Sequence, residues 1–381
     1  MPRTVTIAAV QMDANPAPTD SRLARAQRLV QDAARAGADL VVLPELFNTG
    51  YTYADTNYTN AETLDGPTVA WLRTTAAALG IHLAGTLMLR ERRDIVNALL
   101  LFAPDGRMWR YDKRYPWAWE RGYFRPARQS VIAQTDLGAM GMLICWDSAH
   151  RHLWRAFAGR VDLVLISSCP PDAAQPTYHF PNDVHLTFDD LGPIFGLMKG
   201  SAQRLFGDMI NEQAAWLGVP VVNTVGAGRI TTAIPNGLST LLSFLLLAPA
   251  LARHLPSARH MQMSCAITAG CKVVAATGEV LSEVPSDAGD AFTVATVSLP
   301  DAQPHPQTAQ PRSTVPWISY LSSDVIVPWL SIPVYRSGVR RAWGAQMAPL
   351  GREAWLTVAG LGILGLVTLC RRRCRLTTRP R

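Results

Sequence analysis

Three residues whose types suit covalent catalysis each end a predicted strand in this sequence. Glu45 closes DLVVLPE, Lys113 closes RYDK and Cys145 closes GMLIC. Each run is typical of a strand, and the carboxyl ends of strands are where the sites of α/β proteins usually lie. A thiol can attack a carbonyl carbon, a carboxylate can move protons, and an ammonium can stabilise an oxyanion. The three residue types therefore predict acyl transfer at one end of a sheet.

Lysine usage draws further attention to Lys113. The chain has lysine at positions 113, 199 and 272 only, against 33 arginines. Positive charge is therefore supplied by arginine almost everywhere else. A lysine kept at a strand end indicates a site that needs a compact ammonium rather than a planar guanidinium.

The elements that must position these residues follow from the apolar pattern. Strands are predicted at 4–12, 39–43, 81–87, 96–102, 108–113, 130–134, 141–145, 161–167, 219–225 and 292–298, and a hairpin at 271–284. Helices are predicted at 21–36, 67–79, 148–159 and 201–217. Alternating strands and helices favour a layered α/β fold. Residues 169–197, rich in Pro and Asp, are predicted as loop.

Around the same residues the sequence resembles the nitrilase, or carbon–nitrogen hydrolase, superfamily. The matching stretches are TIAAVQMD, ADLVVLPELFNTGY, YDKRYP, LICWD, AAWLGVPVVNTVGAG and CKVVAATGEVLSEV, in the order of the family. The resemblance implies a four-layer α-β-β-α sandwich over about residues 1–300. Two departures stand out. Arg151–His152 replaces the usual Pro–Glu step after the nucleophile, and the segment 226–261 is longer and more apolar than in the family.

The resemblance also implies a role for each site residue. Cys145 is expected to form a thioester or thioimidate, and Glu45 to act as general base. Lys113 and the backbone N–H of Trp146 are expected to hold the oxyanion, while Glu120 orients Lys113 or the substrate. Tyr51 and Trp117 are expected to line the pocket or pack as local core. No metal or organic cofactor is implied, and relatives often form dimers.

Alternative functions remain open at this stage. The main prediction is hydrolysis of a non-peptide carbon–nitrogen bond, most simply in a linear amide. A relative resembling apolipoprotein N-acyltransferase would pass the acyl group to an amine, and a membrane scaffold would have lost catalysis. A Cys–His site using His150, His152 and Asp147 is disfavoured, because such partners come from separate elements and these share one short turn with Cys145.

Charge and cysteine usage limit the partners and the compartment. The net charge of +7 is concentrated in residues 371–381, which hold six Arg, and the rest of the chain has 30 basic and 29 acidic residues. Nucleic-acid binding needs a basic patch on the folded body, so it is not expected. The six Cys form no CxxC pair, and the N-terminal residues lack the apolar core of a signal peptide. The catalytic domain is therefore expected in the cytoplasm.

Two uncharged apolar stretches predict contact with a membrane. Residues 354–370 precede an Arg cluster and are predicted to lie in an anchor helix that is either transmembrane or membrane-inserted. Residues 237–252 are short and interrupted by Pro249, so a surface-lying element is favoured over a span. The predicted organisation is a catalytic domain at 1–300 with an apolar insert at about 228–261, a juxtamembrane segment at 301–350, an anchor at 351–371 and a basic tail at 372–381. The orientation of the tail stays open. The predicted partners are a membrane and a small-molecule or lipid-like amide.

Overall fold

The computed structural model describes residues 3–91, 94–171, 176–181, 183–245, 248–267 and 270–344. The strands are β1 (Arg3–Asp13), β2 (Leu40–Val42), β3 (His82–Glu91), β4 (Asp94–Phe102), β5 (Met108–Asp112), β6 (Ile132–Thr135), β7 (Gly138–Ile144), β8 (Leu163–Ser167), β9 (Thr177–Phe180), β10 (Val184–Leu186), β11 (Val221–Ala227), β12 (Arg229–Ala233), β13 (Gln262–Ala266), β14 (Cys271–Val274), β15 (Val280–Val284) and β16 (Ala291–Leu299).

The α-helices are α1 (Thr19–Arg35), α2 (Thr56–Thr59), α3 (Pro67–Leu79), α4 (Arg151–Arg155), α5 (Pro193–Gly196), α6 (Ser201–Arg204), α7 (Ile210–Leu217), α8 (Gly237–Phe244), α9 (Trp317–Tyr320) and α10 (Val327–Trp343). Short 3-10 helices lie at Ala118–Gly122, Cys145–Ala149 and Pro249–His260. π-helical turns at Leu205–Met209 and Leu321–Ile326 join α6 to α7 and α9 to α10.

Most strands belong to one twelve-stranded sheet that has two halves. The first half runs β5-β4-β3-β2-β1 with β16 beside β1, and the second runs β6-β7-β8-β11 with β14 and β15 beyond β11. The halves join where the end of β1 pairs with β11 in parallel, Gln11 opposite Val225. β4 contacts β7, and β14 and β15 contact β16, so the halves also pack against each other. The predicted mixed α/β fold is confirmed.

Helices cover the first half because their apolar faces match it. α1 buries Ala26, Val30 and Ala33 at helical spacing, and α3 buries Val69 and Leu72. α1 packs on β1 and β16, and α3 packs on β3. On the second half, α7 packs on β11. The elements therefore lie in the order helices, sheet, sheet, helix, which agrees with the layering that the family resemblance implies.

Several buried polar contacts fasten the ends of the strands near the site. The Arg22 side chain of α1 is buried and donates to the carbonyl oxygens of Phe47 and Asn15, at 2.7 and 2.8 Å. The carbonyl oxygen of Leu43 accepts hydrogen bonds from Ser167 and Thr224, at 2.8 and 3.1 Å. The loop that follows β2 is thus tied to α1, β8 and β11.

A second sheet, of four strands in the order β10-β9-β13-β12, replaces parts of the chain predicted otherwise. Residues 169–197, predicted as loop, contribute β9 and β10, and the apolar insert at 228–261 contributes β12. The sequence prediction is wrong here, because these strands are three to five residues long. β9 also pairs with β13, far along the chain.

The stretch 237–252 does not form one apolar helix. α8 ends at Phe244, and a 3-10 helix begins at Pro249. α8 buries Thr240, Leu241 and Phe244, whereas Leu242 is 47% exposed, so one face packs on the protein. In the part of the chain that the structure covers, no helix is both long and apolar enough to cross a membrane.

The body continues beyond the boundary predicted at residue 300. The first compact unit extends to Gly338 and so includes α9 and most of α10. The Tyr335 hydroxyl accepts from the backbone N–H of Ile95 at 2.9 Å, and the Tyr320 hydroxyl donates to the Ala149 carbonyl at 2.7 Å. The segment 301–338 therefore belongs to this unit. The predicted anchor at 351–371 and tail at 372–381 lie outside the described residues.

Candidate active site

Strand ends bring together the three residues that the sequence analysis singled out. Glu45 follows β2, and its backbone N–H donates to the Ser168 carbonyl at the end of β8, at 3.2 Å. Lys113 follows β5, and its backbone N–H donates to the carbonyl of Asn97 in β4, at 2.9 Å. Cys145 follows β7. Both halves of the large sheet thus contribute to one site.

The Lys113 ammonium lies between two carboxylates in the interior. Its Nζ is 2.7 Å from Glu45 Oε1 and 2.6 Å from Glu120 Oε2, and the side chain is fully buried. The structure therefore places Glu120 beside Lys113. This contact is the one expected of a residue that orients the ammonium.

The Glu45 carboxylate is fixed by two donors that the sequence analysis did not identify. Asn97 Nδ2 donates to Glu45 Oε1 at 2.6 Å, and the backbone N–H of Cys169 donates to Oε2 at 3.1 Å. Asn97 is the single amide in the apolar strand DIVNALLLF. An amide inside a buried strand needs a polar partner, so this residue carried a signal in the sequence.

The Glu120 carboxylate is held by aromatic residues of the pocket. Tyr51 donates its hydroxyl to Oε1 at 2.7 Å, and the backbone N–H of Trp117 donates to Oε2 at 2.9 Å. The Tyr51 hydroxyl also lies 3.0 Å from that of Tyr53. Tyr51 and Trp117 line the pocket as predicted, and each also contributes to the position of Glu120.

The nucleophile turn has an unusual backbone conformation. Cys145 has φ of 48°, in the left-handed region that non-glycine residues rarely adopt. Backbone strain of this kind clusters at functional sites. The turn brings Cys145 from β7 directly into a 3-10 helix, and a longer helix predicted at 148–159 is reduced to the five residues of α4.

Asp147 fastens this turn to the strand that carries Lys113. The carboxylate is fully buried and accepts hydrogen bonds from the Tyr111 hydroxyl and the Tyr115 backbone N–H, both at 2.8 Å. It also accepts from the backbone N–H of Ile144 at 3.3 Å. The sequence analysis considered Asp147 only as part of a Cys–His site, so this positioning contact was missed.

The histidines of the turn point to other partners. His150 Nδ1 lies 3.1 Å from the Trp146 carbonyl oxygen, and Nε2 lies 3.0 Å from the Asp324 carboxylate. His152 Nε2 lies 3.2 Å from the Tyr115 hydroxyl. The ring nitrogens of His150 and His152 thus contact Trp146, Asp324 and Tyr115, and these contacts lend no support to a Cys–His site.

Burial and charge set the resting protonation state. Burial raises the pKa of the Cys145 thiol well above its ordinary value, and the nearby Glu45 charge raises it further, so the thiol is neutral. Burial alone lowers the pKa of Lys113, but Glu120 and Glu45 outweigh burial and raise it well above the ordinary value. Burial also raises the pKa of Glu120, against the opposing effect of Lys113. The site thus holds a permanent ammonium beside a thiol that needs a base.

A pocket of about 480 Å³ opens onto the thiol. Cys145, Glu120, Tyr51, Trp117 and Trp146 form its reactive end. The rest of its wall is formed by Pro170, Pro171, Met198, Ser201, Ala202, Leu205, Phe206, Ser319 and Ser323. Among the residues with assigned positions, no group of three or more His, Cys, Asp or Glu side chains could hold a metal ion.

Comparison with known proteins finds a family match over part of the chain. Residues 6–187 match the family model of the carbon–nitrogen hydrolases. A nitrilase from Pyrococcus abyssi is 30% identical over 148 residues, which cover 38% of this chain and 56% of that protein. An omega-amidase from Danio rerio is 30% identical over 172 residues, which cover 42% of this chain and 61% of that protein. The chain therefore spans about half the length of the curated relatives that it matches.

Solved structures share the fold at low sequence identity. A CN-hydrolase superfamily protein from Xanthomonas campestris has a TM-score of 0.56 and 20% identity, covering 77% of this chain and 91% of that one. A mutant of the amidase from Nesterenkonia sp. AN1 has a TM-score of 0.56 and 18% identity, covering 77% and 90%. That structure is described as showing the acetamide moiety of fluoroacetamide added covalently at the active-site cysteine.

Family model and fold point the same way, since residues 6–187 match the carbon–nitrogen hydrolases and the solved structures share the fold. The match supports the resemblance to the nitrilase superfamily that the sequence shows.

Proposed function

We propose that this protein hydrolyses a linear amide through an acyl group bound to Cys145. The observation that carries the proposal is the buried cluster in which Lys113 contacts both Glu45 and Glu120, beside a strained cysteine that opens into a pocket. The amidases and nitrilases among the relatives support this class of substrate.

The first half-reaction makes a thioester. Glu45 takes the thiol proton as the sulfur of Cys145 attacks the amide carbon, and the negative charge moves to the carbonyl oxygen. The Lys113 ammonium and the backbone N–H of Trp146 stabilise that oxyanion. The carbon–nitrogen bond then breaks, and the amine leaves with the proton that Glu45 had accepted.

The second half-reaction hydrolyses the thioester and regenerates the free enzyme. Glu45 takes a proton from water, and the resulting hydroxide attacks the thioester carbon. The carbon–sulfur bond breaks, and the sulfur recovers a proton from Glu45. Because Asn97 and the Cys169 N–H hold both oxygens of Glu45, the same carboxylate serves both steps without moving far. Glu120 keeps Lys113 charged and in position.

An amine in place of water would make the protein an N-acyltransferase. The two activities share the thioester and differ only in the acceptor. A largely apolar pocket wall favours keeping this second candidate, since such a wall suits a lipid-like acyl donor. A catalytically silent scaffold would form no thioester.

The test is replacement of the nucleophile. Cys145→Ala and Cys145→Ser are expected to abolish amide turnover, because both delete the thiolate route, while the melting temperature stays near that of the wild type. Cys271→Ala is the matched control, since Cys271 is also a buried free cysteine but lies outside the pocket wall. Released ammonia and the intact mass of the protein would be measured.

Each outcome separates the candidates. An acyl adduct on Cys145 that decays in water supports the hydrolase, and one that decays only with an added amine supports the transferase. Full turnover in Cys145→Ala, or a protein that forms no adduct with any amide, would refute the proposal.

A further inference from the structure

A second cavity of about 460 Å³ adjoins the pocket that holds the thiol. Both cavities are lined by Trp117, Pro171, Met198 and Ser323. The two cavities therefore lie side by side, with these four residues at their common boundary. Nothing in the proposed reaction uses this space.

Among the residues that the structure describes, the lining of the second cavity is mostly aromatic and aliphatic, and it includes no charged residue. Its wall beyond the shared residues comprises Ala118, Trp119, Pro176, Tyr178, Phe188, Phe195, Phe244, Met263, Cys265, Ser322 and Val327. The aromatic rings pack on one another, with centroids 5.0 Å apart for Phe195 and Phe244 and 5.9 Å apart for Phe188 and Phe195. Trp119 directs its ring N–H to Thr240 at 3.2 Å. A wall of this kind favours an uncharged, apolar occupant.

The cavity is built from the elements that the sequence did not predict. Tyr178 lies in β9, Met263 in β13, Phe244 in α8 and Val327 at the start of α10. The four-stranded sheet, α8 and the late helix therefore meet around this one space. This shared location gives the apolar insert at 228–261 a role in the site.

We propose that the second cavity binds the alkyl chain of the acyl group, so that the substrate is an aliphatic amide several carbons long. This assignment rests on the proposed function. The acyl group stays attached to Cys145 while the amine departs and water enters, so a lasting apolar site fits the acyl side of the amide better than the amine side. The amine and water would then use the first pocket, whose wall includes Ser201 and Ser319.

Acyl length is the variable that tests this site. Each buried methylene should raise kcat/KM about fourfold until the cavity is full. Octanamide should therefore exceed butyramide by about 250-fold in kcat/KM if the cavity holds the whole chain, measured by release of the carboxylic acid. N-Hexylacetamide is the matched control, because it is an isomer of octanamide with the alkyl chain on nitrogen. The kcat/KM of N-hexylacetamide should not exceed that of N-methylacetamide by a comparable factor.

Two substitutions test the location. Val327→Phe fills the cavity from a buried position and should lower the octanamide-to-butyramide ratio at least tenfold. Val325→Phe is its matched control, since Val325 is 56% exposed and lies two residues earlier outside the cavity wall. Phe244→Ala enlarges the cavity and should raise the kcat/KM of dodecanamide relative to that of octanamide. This second variant keeps the test decisive if Val327→Phe fails to fold, as judged by its melting transition.

The outcomes distinguish the subsite from the reaction. Three results would overturn the acyl subsite and leave the hydrolase intact. The first is turnover of butyramide with no rise in kcat/KM toward octanamide, and the second is a rise in kcat/KM with the length of the N-alkyl chain instead. The third is an octanamide-to-butyramide ratio that is unchanged in Val327→Phe together with an unchanged dodecanamide-to-octanamide ratio in Phe244→Ala. Absence of turnover and of a Cys145 adduct with every amide, short or long, would overturn the proposed function and the subsite with it.

Discussion

Lys113 keeps its charge in the interior because carboxylates lie on both sides of it. Burying an ammonium without partners is costly, and the contacts with Glu45 and Glu120 offset that cost. The cluster has two acids for one base, so its stability depends on the compact shape of all three groups. A residue with the same charge and a larger head cannot occupy the same place.

Lys113→Arg should therefore be severely impaired. A guanidinium does not fit the position of the ammonium, and loss of one oxyanion donor lowers kcat about 100- to 1,000-fold. Lys199→Arg provides the matched control, because Lys199 is partly exposed, pairs with Asp189 and does not line the pocket. Steady-state kinetics on a short amide would measure both. Near-normal kcat in Lys113→Arg would show that the charge alone suffices.

The pH profile reports whether Glu120 sustains the Lys113 ammonium. In the wild type the pKa of Lys113 lies well above 10.5, so the ammonium persists and no alkaline decline in kcat from its loss is expected below that pH. Glu120→Gln removes the largest of the raising effects and leaves mainly Glu45 to oppose burial, so this pKa should fall. Activity of Glu120→Gln should consequently decline at a lower pH than that of the wild type, because the ammonium deprotonates more readily.

Tyr51→Phe is the comparison for that experiment. It deletes one hydrogen bond to Glu120 but keeps the carboxylate, so its profile should lack the new alkaline decline. A purely structural defect in Glu120→Gln would lower kcat equally at every pH. That result would contradict the electrostatic role.

The sequence predicted the three central residues of the site better than the residues that position them. Glu45, Lys113 and Cys145 were identifiable because each ends a predicted strand and belongs to a short motif. Asp147 and Asn97 act through contacts with residues 32 to 52 positions away. Such pairings depend on the order of strands in the sheet, which no local pattern encodes.

At the scale of elements, the helix that starts at α9 contributes directly to the pocket. Ser319 and Ser323 line the space beside the thiol. One turn of this helix presents Asp324, whose carboxylate accepts from Trp146 Nε1 at 2.7 Å and lies 3.0 Å from His150 Nε2. The residue next to the nucleophile is thereby tied to the late helix.

Asp324→Ala should raise KM about tenfold and change kcat less. The substitution removes both contacts, and hydrogen bonds to charged groups contribute about 1.5–3 kcal/mol. The pocket wall that holds Ser319 and Ser323 would then shift while the buried triad stays in place. Asp324→Asn retains one acceptor and should recover part of the loss, and Asp301→Asn, at an exposed position after β16, should have no effect. A fall in kcat with unchanged KM would contradict this role.

The elements differ in how far the sequence revealed them. β1, α1, α3 and β8 were predicted within a few residues, since long apolar runs and helical spacing persist along them. β9, β10, β12 and β13 were missed, because short strands form only when remote segments pair. The late helix was assigned to a juxtamembrane segment because it lies between the family motifs and the predicted anchor, whereas the protein buries its residues Val327, Tyr335 and Val339.

At the scale of the whole molecule, membrane attachment is a prediction about residues beyond Leu350. Full-length protein should sediment with membranes, and a chain shortened after Leu350 should be largely released from them. The six Arg of residues 371–381 would contribute roughly 1 kcal/mol each at an anionic surface. Fractionation without detergent measures the share of each chain that sediments with membranes. Full-length protein that stays in the supernatant would refute the anchor.

A second shortened chain tests whether the segment after residue 300 is needed for activity. A chain that ends at Pro300 lacks α9 and α10, so it should lose activity as well as any attachment. The chain that ends at Leu350 should keep turnover of a short amide. If it is released but inactive on every amide, residues after Leu350 belong to the working enzyme.

The position of the pocket wall in the chain has a consequence for synthesis. Domains fold as the chain emerges from the ribosome, N-terminal parts first. Every strand that the structure describes is complete by Leu299, whereas the wall residues Ser319, Ser323 and Val327 follow it. A nascent chain can therefore pair these strands around Cys145 before the late wall of the pocket has been made. A chain released early by the ribosome would carry the thiol without this wall, so we expect completion of the pocket to be the last step in making an active protein.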